Sequence, residues 1–420
     1  MNSSGAAADD QLQQAIAAPF RHSVPTHIGV AVSGGSDSMA LLSLVSHWAK
    51  AQDIRCSAVT VDHGLRVEAA REAEMVAEFC AAHHIPHDIL HWQGWDGAGN
   101  LQAMARDARY GLIADWAAAK GVETVVLGHT QDDQAETFLM RLSRQSGVDG
   151  LAKMRERFQR DGVEWLRPLL AQPRAQLRAY LDRRGVAWIE DPSNEDPSFE
   201  RVRARDILKQ LAPLEITSET LSHVSTAMGD ARAALEHYTW REAQSTTSQD
   251  HGDLLIAGMG SSGIPPEIAR RILTNALQWI GNSDYPPRSS ALSELETSLQ
   301  TAPRHTLAGC VILKEHGDLR ITREFNAVRD LTCSTETVWD DRWRLDGPHE
   351  SGLEIRALGE AGLRDCADWR IVGIPRMSLL ASPSVWRGNA LISAPLAGFE
   401  NGWQAGLKED FVTHLCNKKA

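Results

Sequence analysis

The sequence predicts an α/β fold: a parallel-sheet domain first, then a mainly helical domain, then a small α+β domain. Three observations carry this. Short apolar runs at 28–32, 54–61, 87–92 and 122–127 alternate with helical patterns at 68–83 and 101–120, the rhythm of parallel strands joined by crossover helices. Polar motifs follow the first, second and fourth runs, at the strand ends where open parallel sheets bind ligands. At 420 residues, 43% hydrophobic and 23% charged, the chain can fill about two or three ordinary cores.

Taken in order, residues 1–23 read as a disordered or flexible segment and 24–213 as the α/β domain. The first strand runs into Ser33-Gly34-Gly35-Ser36-Asp37-Ser38, and the second into Asp62-His63-Gly64-Leu65-Arg66. The helix at 101–120 carries Arg106 and Arg109 on one face. After the fourth strand comes Gly128-His129-Thr130-Gln131-Asp132-Asp133, a loop entering a helix with Asp132 as the expected N-cap. Beyond Pro168 the pattern is helical at 174–181 and 201–211, with a loop at Glu190-Asp191-Pro192-Ser193-Asn194. A boundary is expected near Pro213, then a long helix over 217–244, a polar loop at 245–252 and a mainly helical domain over 217–326. The last domain, 338–420, contains strand-like runs at 353–358 and 384–392, the second interrupted by the turn pair Gly388-Asn389. Gly258-Met259-Gly260-Ser261-Ser262-Gly263 matches a dinucleotide fingerprint, but Ile264-Pro265-Pro266 separates it from the next helix and no βαβ unit surrounds it, so it reads as a plain loop.

The chemistry concentrates in the first domain. Adjacent glycines allow positive φ and close backbone approach, so the N–H groups of the turn at 33–38 can form a phosphate nest at a helix start. Ser33, Ser36 and Ser38 add hydroxyl donors, whereas Asp37 would repel bare phosphate, which implies an intervening Mg²⁺. No lysine follows the glycines, so this is not the γ-phosphate-transferring P-loop. Asp133 and Glu136 lie three apart on one helix face and could bind Mg²⁺, hold an ammonium group, act as a base, or merely complement the helix dipole. Arg106 and Arg109 could clamp a carboxylate or phosphate, or form surface ion pairs.

Net charge is −12, which disfavours a broad nucleic-acid surface, yet 141–209 holds fifteen Lys and Arg against eleven Asp and Glu. The six cysteines, Cys56, Cys80, Cys310, Cys333, Cys366 and Cys416, contain no C-x-x-C pair and read as free thiols. The start lacks a basic, apolar leader and no run of about 18 apolar residues occurs, so a cytoplasmic protein without membrane partners is expected.

The serine-glycine turn resembles that of the N-type ATP pyrophosphatases, the PP-loop enzymes with an adenine nucleotide alpha hydrolase-like fold. Together with Val61-Asp62-His63-Gly64-Leu65-Arg66, Ala105-Arg106, Arg109-Tyr110, Gly128-His129, 132–137, Ser146-Gly147, Arg167-Pro168-Leu169-Leu170 and 190–194, it resembles the tRNA(Ile)-lysidine synthase family, strongly over 25–210 and more weakly beyond. Two departures are Thr130, where the family often has a second histidine, and Gln145, where a glycine is more usual. The resemblance implies that ATP adenylates the C2 oxygen of the wobble cytidine in a CAU anticodon and that the ε-amine of L-lysine then displaces AMP. Implied ATP contacts are Ser33, Gly34, Gly35, Ser36, Asp37, Ser38, Asp62, His63, Gly128 and His129, with Asp37 on magnesium. Asp133, Glu136 and Arg109 are the implied lysine site, and Asp37, Asp133 and Glu136 the implied catalytic set. Arg174, Arg178, Arg201, Arg203 and Arg205 are expected to meet tRNA phosphates, and a homodimer is compatible with the sequence. Sulfur insertion into tRNA and amide synthesis are the alternatives on the same fold; thiolation enzymes usually place a reactive cysteine near the rim, whereas Cys56 and Cys80 fall in strand-like and helix-like segments.

Overall fold

The computed structural model describes residues 3–64, 69–92, 101–190, 196–258, 263–283, 285–299, 301–315 and 317–417. Leu65, Arg66, 191–194 and 259–262, parts of motifs named above, lie outside the described residues. The chain forms two compact units, Met1–Arg232 and Ala233–Lys419.

The first unit begins with α1 (Ser3–Ala17), then β1 (His27–Ala31), α2 (Ser36–Ala51), β2 (Arg55–Asp62), α3 (Ala69–Ala82), β3 (His87–His91), α4 (Leu101–Lys120) and β4 (Thr124–Leu127). It continues through α5 (Gln131–Leu142), α6 (Val148–Leu151), β5 (Arg157–Arg160), β6 (Val163–Leu166), α7 (Arg174–Arg184) and α8 (Glu200–Leu211) to the first half of α9 (Ser218–Thr246), whose second half belongs to the second unit. The sheet order is β3-β2-β1-β4-β6-β5. Every neighbouring pair is parallel except β5 with β6. The expected parallel α/β architecture is therefore present, with β5 as an antiparallel edge.

Alternation along the strands sends side chains to two cores. Ile28, Val30 and Val126 join Leu41, Leu44, Val45, Leu177 and Tyr180 on one face, and Val59, Val125 and Leu127 join Tyr110, Ile113, Trp116 and Trp165 on the other. Of the stretch expected to be flexible, Ser3 to Phe20 is instead helical and docked. Leu12 and Ile16, one helical turn apart, are fully buried in the first of these cores, and Phe20 stacks on Trp48 with ring centroids 4.7 Å apart. Arg183 of α7 also donates to Asp9, fixing the polar side of α1.

The second unit corrects the expectation of a mainly helical segment over 217–326. A five-stranded antiparallel sheet runs through it, in the order β7 (Thr247–Asp250), β8 (Asp253–Ile256), β11 (Asp318–Arg323), β10 (Cys310–Glu315) and β9 (Arg304–Leu307). The expected polar loop at 245–252 is instead the hairpin between β7 and β8, turning at His251 and Gly252, both with positive φ. α10 (Pro266–Gly281) and α11 (Ser289–Ser298) bury Ile272, Leu277, Ile280 and Leu292 against this sheet. The tail adds β12 (Thr332–Ser334), β14 (Glu354–Ala357), β15 (Pro383–Arg387) and β16 (Ala390–Ser393) as one sheet, with β13 (Trp343–Asp346) paired to β17 (Gln404–Leu407). Gly258, the first glycine of the fingerprint-like run, follows an antiparallel strand and donates its amide to Asp318.

Candidate active site

From β1 the chain winds outward to β2 and β3, then returns to β4 on the opposite side of β1. The strand order thus reverses between the carboxyl ends of β1 and β4, where such sheets open a ligand crevice. The glycine turn leaves β1 and Gly128-His129 leaves β4, so the topology brings them together.

Gly34 takes φ +84°, and Gly35, extended, leads into α2 as its N-cap. The Ser38 hydroxyl accepts from the Ser33 amide at 3.1 Å and donates to the Gly35 carbonyl at 3.0 Å, closing the turn on itself. The Ile189 amide braces it from outside on the Gly34 carbonyl, at 3.0 Å. Opposite, a Cβ at Gly128 would lie 3.1 Å from the Asp37 carbonyl carbon and oxygen, so only glycine lets the two loops approach without displacement.

Thr130, not Asp132, caps α5. Its hydroxyl accepts from the Asp133 amide while Asp133 Oδ2 accepts from the Thr130 amide at 2.8 Å and hydroxyl at 2.9 Å, a reciprocal capping box. Asp132 instead caps α7, its Oδ2 accepting the Arg174 amide at 2.7 Å, while its Oδ1 takes the Ser218 hydroxyl at 3.3 Å. Asp133 and Glu136 turn inward, only 6% and 1% exposed.

One guanidinium ties these acids to the glycine turn. Arg174 Nε donates to Asp37 Oδ2 at 2.8 Å, Nη1 to Glu136 Oε1 at 3.3 Å and Nη2 to Asp133 Oδ1 at 3.4 Å. Arg201 reaches the same Asp133 oxygen at 3.4 Å, and Arg205 donates to Glu136 Oε1 at 2.6 Å. Glu136 Oε2 is buried without a partner. Burial pushes the Asp37 carboxyl up, against the pull of Arg174. Burial opposes ionisation of Asp133 as well, but Arg174 and Arg201 outweigh it and hold that carboxyl below its usual range. Arg174 is raised because the three carboxylates outweigh its own burial.

The other wall is basic. The Arg109 cation is penalised by burial and by Arg106 and Arg201. Arg167 is buried too; its Nη1 donates to the Arg155 carbonyl at 2.7 Å and its Nε has no partner. Burial, reinforced by Arg167, lowers His129 to about 3, so the imidazole is neutral at physiological pH. His63 is lowered by burial and then by Arg109, and its Nδ1 is unpartnered, as is that of His129. Asp62, ending β2, accepts the Gly64 amide at 2.8 Å and lies 3.5 Å from His91 Nδ1.

A PP-loop domain model matches residues 8–212. A tRNA(Ile)-lysidine synthase of Ruegeria pomeroyi is 48% identical over 401 residues, covering 95% of this chain and 96% of that protein. The chain belongs to the tRNA(Ile)-lysidine synthase family. Another member, from Wolbachia pipientis, is 36% identical over 326 residues, 75% of this chain and 76% of that one. Among solved structures, the U34-tRNA thiolase NcsA of Methanococcus maripaludis aligns with a TM-score of 0.46 and 16% identity over 54% of this chain and 80% of that one.

Two departures from the usual pattern of lysidine synthases now have a structural account. Thr130 does the capping of α5, and Gln145 adopts φ +57°, the left-handed conformation that glycine accepts more readily. Of the five arginines expected to meet tRNA, Arg174, Arg201 and Arg205 instead turn into the acidic cluster. Arg178 is exposed and reaches Ser36 Oγ at 3.4 Å and Glu190 at 3.2 Å, while exposed Arg203 donates to the Pro197 and Ser198 carbonyls, each at 2.8 Å. The part played by Arg174 has no local signal, since its partner Asp37 is 137 positions away.

Proposed function

We propose that the chain joins free L-lysine, through its ε-amine, to C2 of the wobble cytidine of tRNA(Ile) bearing a CAU anticodon, consuming ATP and releasing AMP and diphosphate. Decoding then shifts from AUG to AUA. The observation that supports this most directly is the buried acidic pair Asp133 and Glu136, tied to the glycine turn through Arg174, with Arg109 close enough to Arg201, itself on Asp133, to be penalised by its charge. An amino acid carries the complementary pair of charges. Its α-ammonium suits the acids, including the unpartnered Glu136 Oε2, and its carboxylate suits the Arg109 guanidinium, leaving the ε-amine at the far end free to react.

In the first step the cytosine O2 forms a bond to the α-phosphorus of ATP as the bond to diphosphate breaks. The amides of the turn, the hydroxyls of Ser33 and Ser36 and the start of α2 would hold the departing diphosphate, a role supported by the glycine turn leading straight into the helix N-terminus. Asp37 fits Mg²⁺, an ion usually held by one or two carboxylates with phosphate and water completing its shell, and the Arg174 guanidinium already shows that this carboxylate faces a cation. Bound there, the ion would neutralise charge on the phosphates. In the second step the neutral ε-amine bonds to C2 and AMP leaves with the former O2. His129, uncharged and with a free Nδ1, can accept a hydrogen bond here without competing as a cation.

Sulfur insertion is disfavoured by the thiols: burial pushes Cys56 up to about 12 and Cys80 to about 11, so neither offers a thiolate. Incubating the protein with ATP, Mg²⁺, L-lysine and an unmodified tRNA(Ile) transcript should release AMP and diphosphate and add one lysine, less water, to the cytidine mass. Diphosphate release without that mass, or none at all, would defeat the reading.

A further inference from the structure

We propose that Arg174 is a positioning residue that sets the order of binding: its guanidinium occupies the place of the incoming cations, and Mg·ATP must draw it away before lysine can enter. This rests on the assignment of Asp133 and Glu136 to lysine. The geometry is specific. Three carboxylates from two elements, Asp37 on α2 and Asp133 and Glu136 on α5, converge on the one side chain, through three different nitrogens at 2.8 to 3.4 Å. Its backbone is anchored, because the amide is held by Asp132 at 2.7 Å, so only the side chain is free to swing. Arg201 and Arg205 each touch an acid of the cluster, whereas Arg174 touches Asp37 together with Asp133 and Glu136, so it joins the ATP side to the amino-acid side.

The consequence follows from charge. While Arg174 spans the cluster, an arriving α-ammonium meets acids already paired with its cation. When Mg·ATP binds, the cation on Asp37 and the nearby phosphates remove the strongest of the three Arg174 bonds, the 2.8 Å one, and offer the guanidinium anionic oxygens instead. Asp133 then keeps Arg201 and Glu136 keeps Arg205, each acid one cation short and able to take the substrate ammonium. Lysine binding is thereby made contingent on nucleotide, which prevents a stable amino-acid complex from forming in an enzyme with nothing to activate.

Calorimetric titration of L-lysine into the full-length protein tests this, with and without Mg²⁺ and α,β-methylene ATP, for the native chain, Arg174→Met and Arg174→Lys. In the native protein the nucleotide should tighten lysine binding by about tenfold or more, within the usual range for coupled sites. Arg174→Met should bind lysine equally with and without nucleotide, near the native nucleotide-bound value. Arg174→Lys, which keeps the charge but not the three-way fork, should retain a reduced coupling. Equal nucleotide dependence in the native protein and Arg174→Met, or none in the native protein, overturns the proposal. Loss of lysine binding by Arg174→Met in every condition, with its thermal unfolding unchanged, would also overturn it, by making the arginine a direct lysine ligand. If Arg174→Met does not fold, Arg174→Lys decides: coupling equal to native overturns the proposal and weaker coupling supports it. Absence of lysine binding in the native protein even with nucleotide would instead sink the underlying assignment of the acids.

Discussion

At the scale of single residues, the site separates groups of the same type by their surroundings. Asp37 stands in the glycine turn at the start of α2 and Asp133 and Glu136 stand on α5, the proposed nucleotide and amino-acid sides, and one guanidinium touches all three. Asp37→Ala is expected to abolish diphosphate release while tRNA binding, measured by filter retention, persists; retained release would remove Asp37 from the metal. His129 gives a pH prediction. Its folded pKa, about 3, lies below the ordinary value of about 6.5, so between those limits the unfolded chain binds a proton that the folded chain does not. Stability contributed by this group is therefore full above pH ~6.5 and declines as pH falls toward ~3. Urea unfolding at several pH values in this window should show a shallower pH slope for His129→Asn than for the native chain.

At the scale of elements, α1 is part of the core. Leu12→Ala should cost about 2–5 kcal/mol, as for other buried leucines, and lower the urea midpoint; a change under about 0.5 kcal/mol would mean the helix is not docked. The strands β1 to β4 and the helix at 101–120 were legible because apolar runs and helical periodicity are local signals. α1 was not, because Ala6, Ala7, Ala8 and several polar residues dilute a stripe of only Leu12 and Ile16. The sheet of β7 to β11 was missed because strands of four to six residues lie among helices long enough to dominate the pattern. At the site, sequence spacing located Asp133, Glu136 and the glycine turn. It misplaced the cap at Asp132 and sent Arg174, Arg201 and Arg205 to RNA, because the choice of partner for a long cation is made by the tertiary fold.

At the scale of the whole molecule, a net charge of −12 leaves little nonspecific attraction for RNA, so the few exposed cations without carboxylate partners should matter most. Arg203 is such a residue: its guanidinium donates to the Pro197 and Ser198 carbonyls, and the side chain is exposed. Arg203→Ala should weaken binding of every tRNA alike and reduce the salt slope by about 1. An unchanged slope, measured between low and moderate KCl, would show that it meets no phosphate. Among the described residues no helix is long and apolar enough to cross a membrane.

The Asp133 carboxylate divides its labour between its oxygens, Oδ2 sealing the start of α5 and Oδ1 meeting Arg174 and Arg201. An isosteric amide at this position must keep its oxygen toward Thr130, which forces its NH₂ toward the guanidinium groups. Asp133→Asn should thus retain the helix cap and the native circular dichroism, melt at a lower temperature because two ion pairs are lost, and repel any ammonium ligand, a distinction that alanine, by stripping both oxygens, cannot supply.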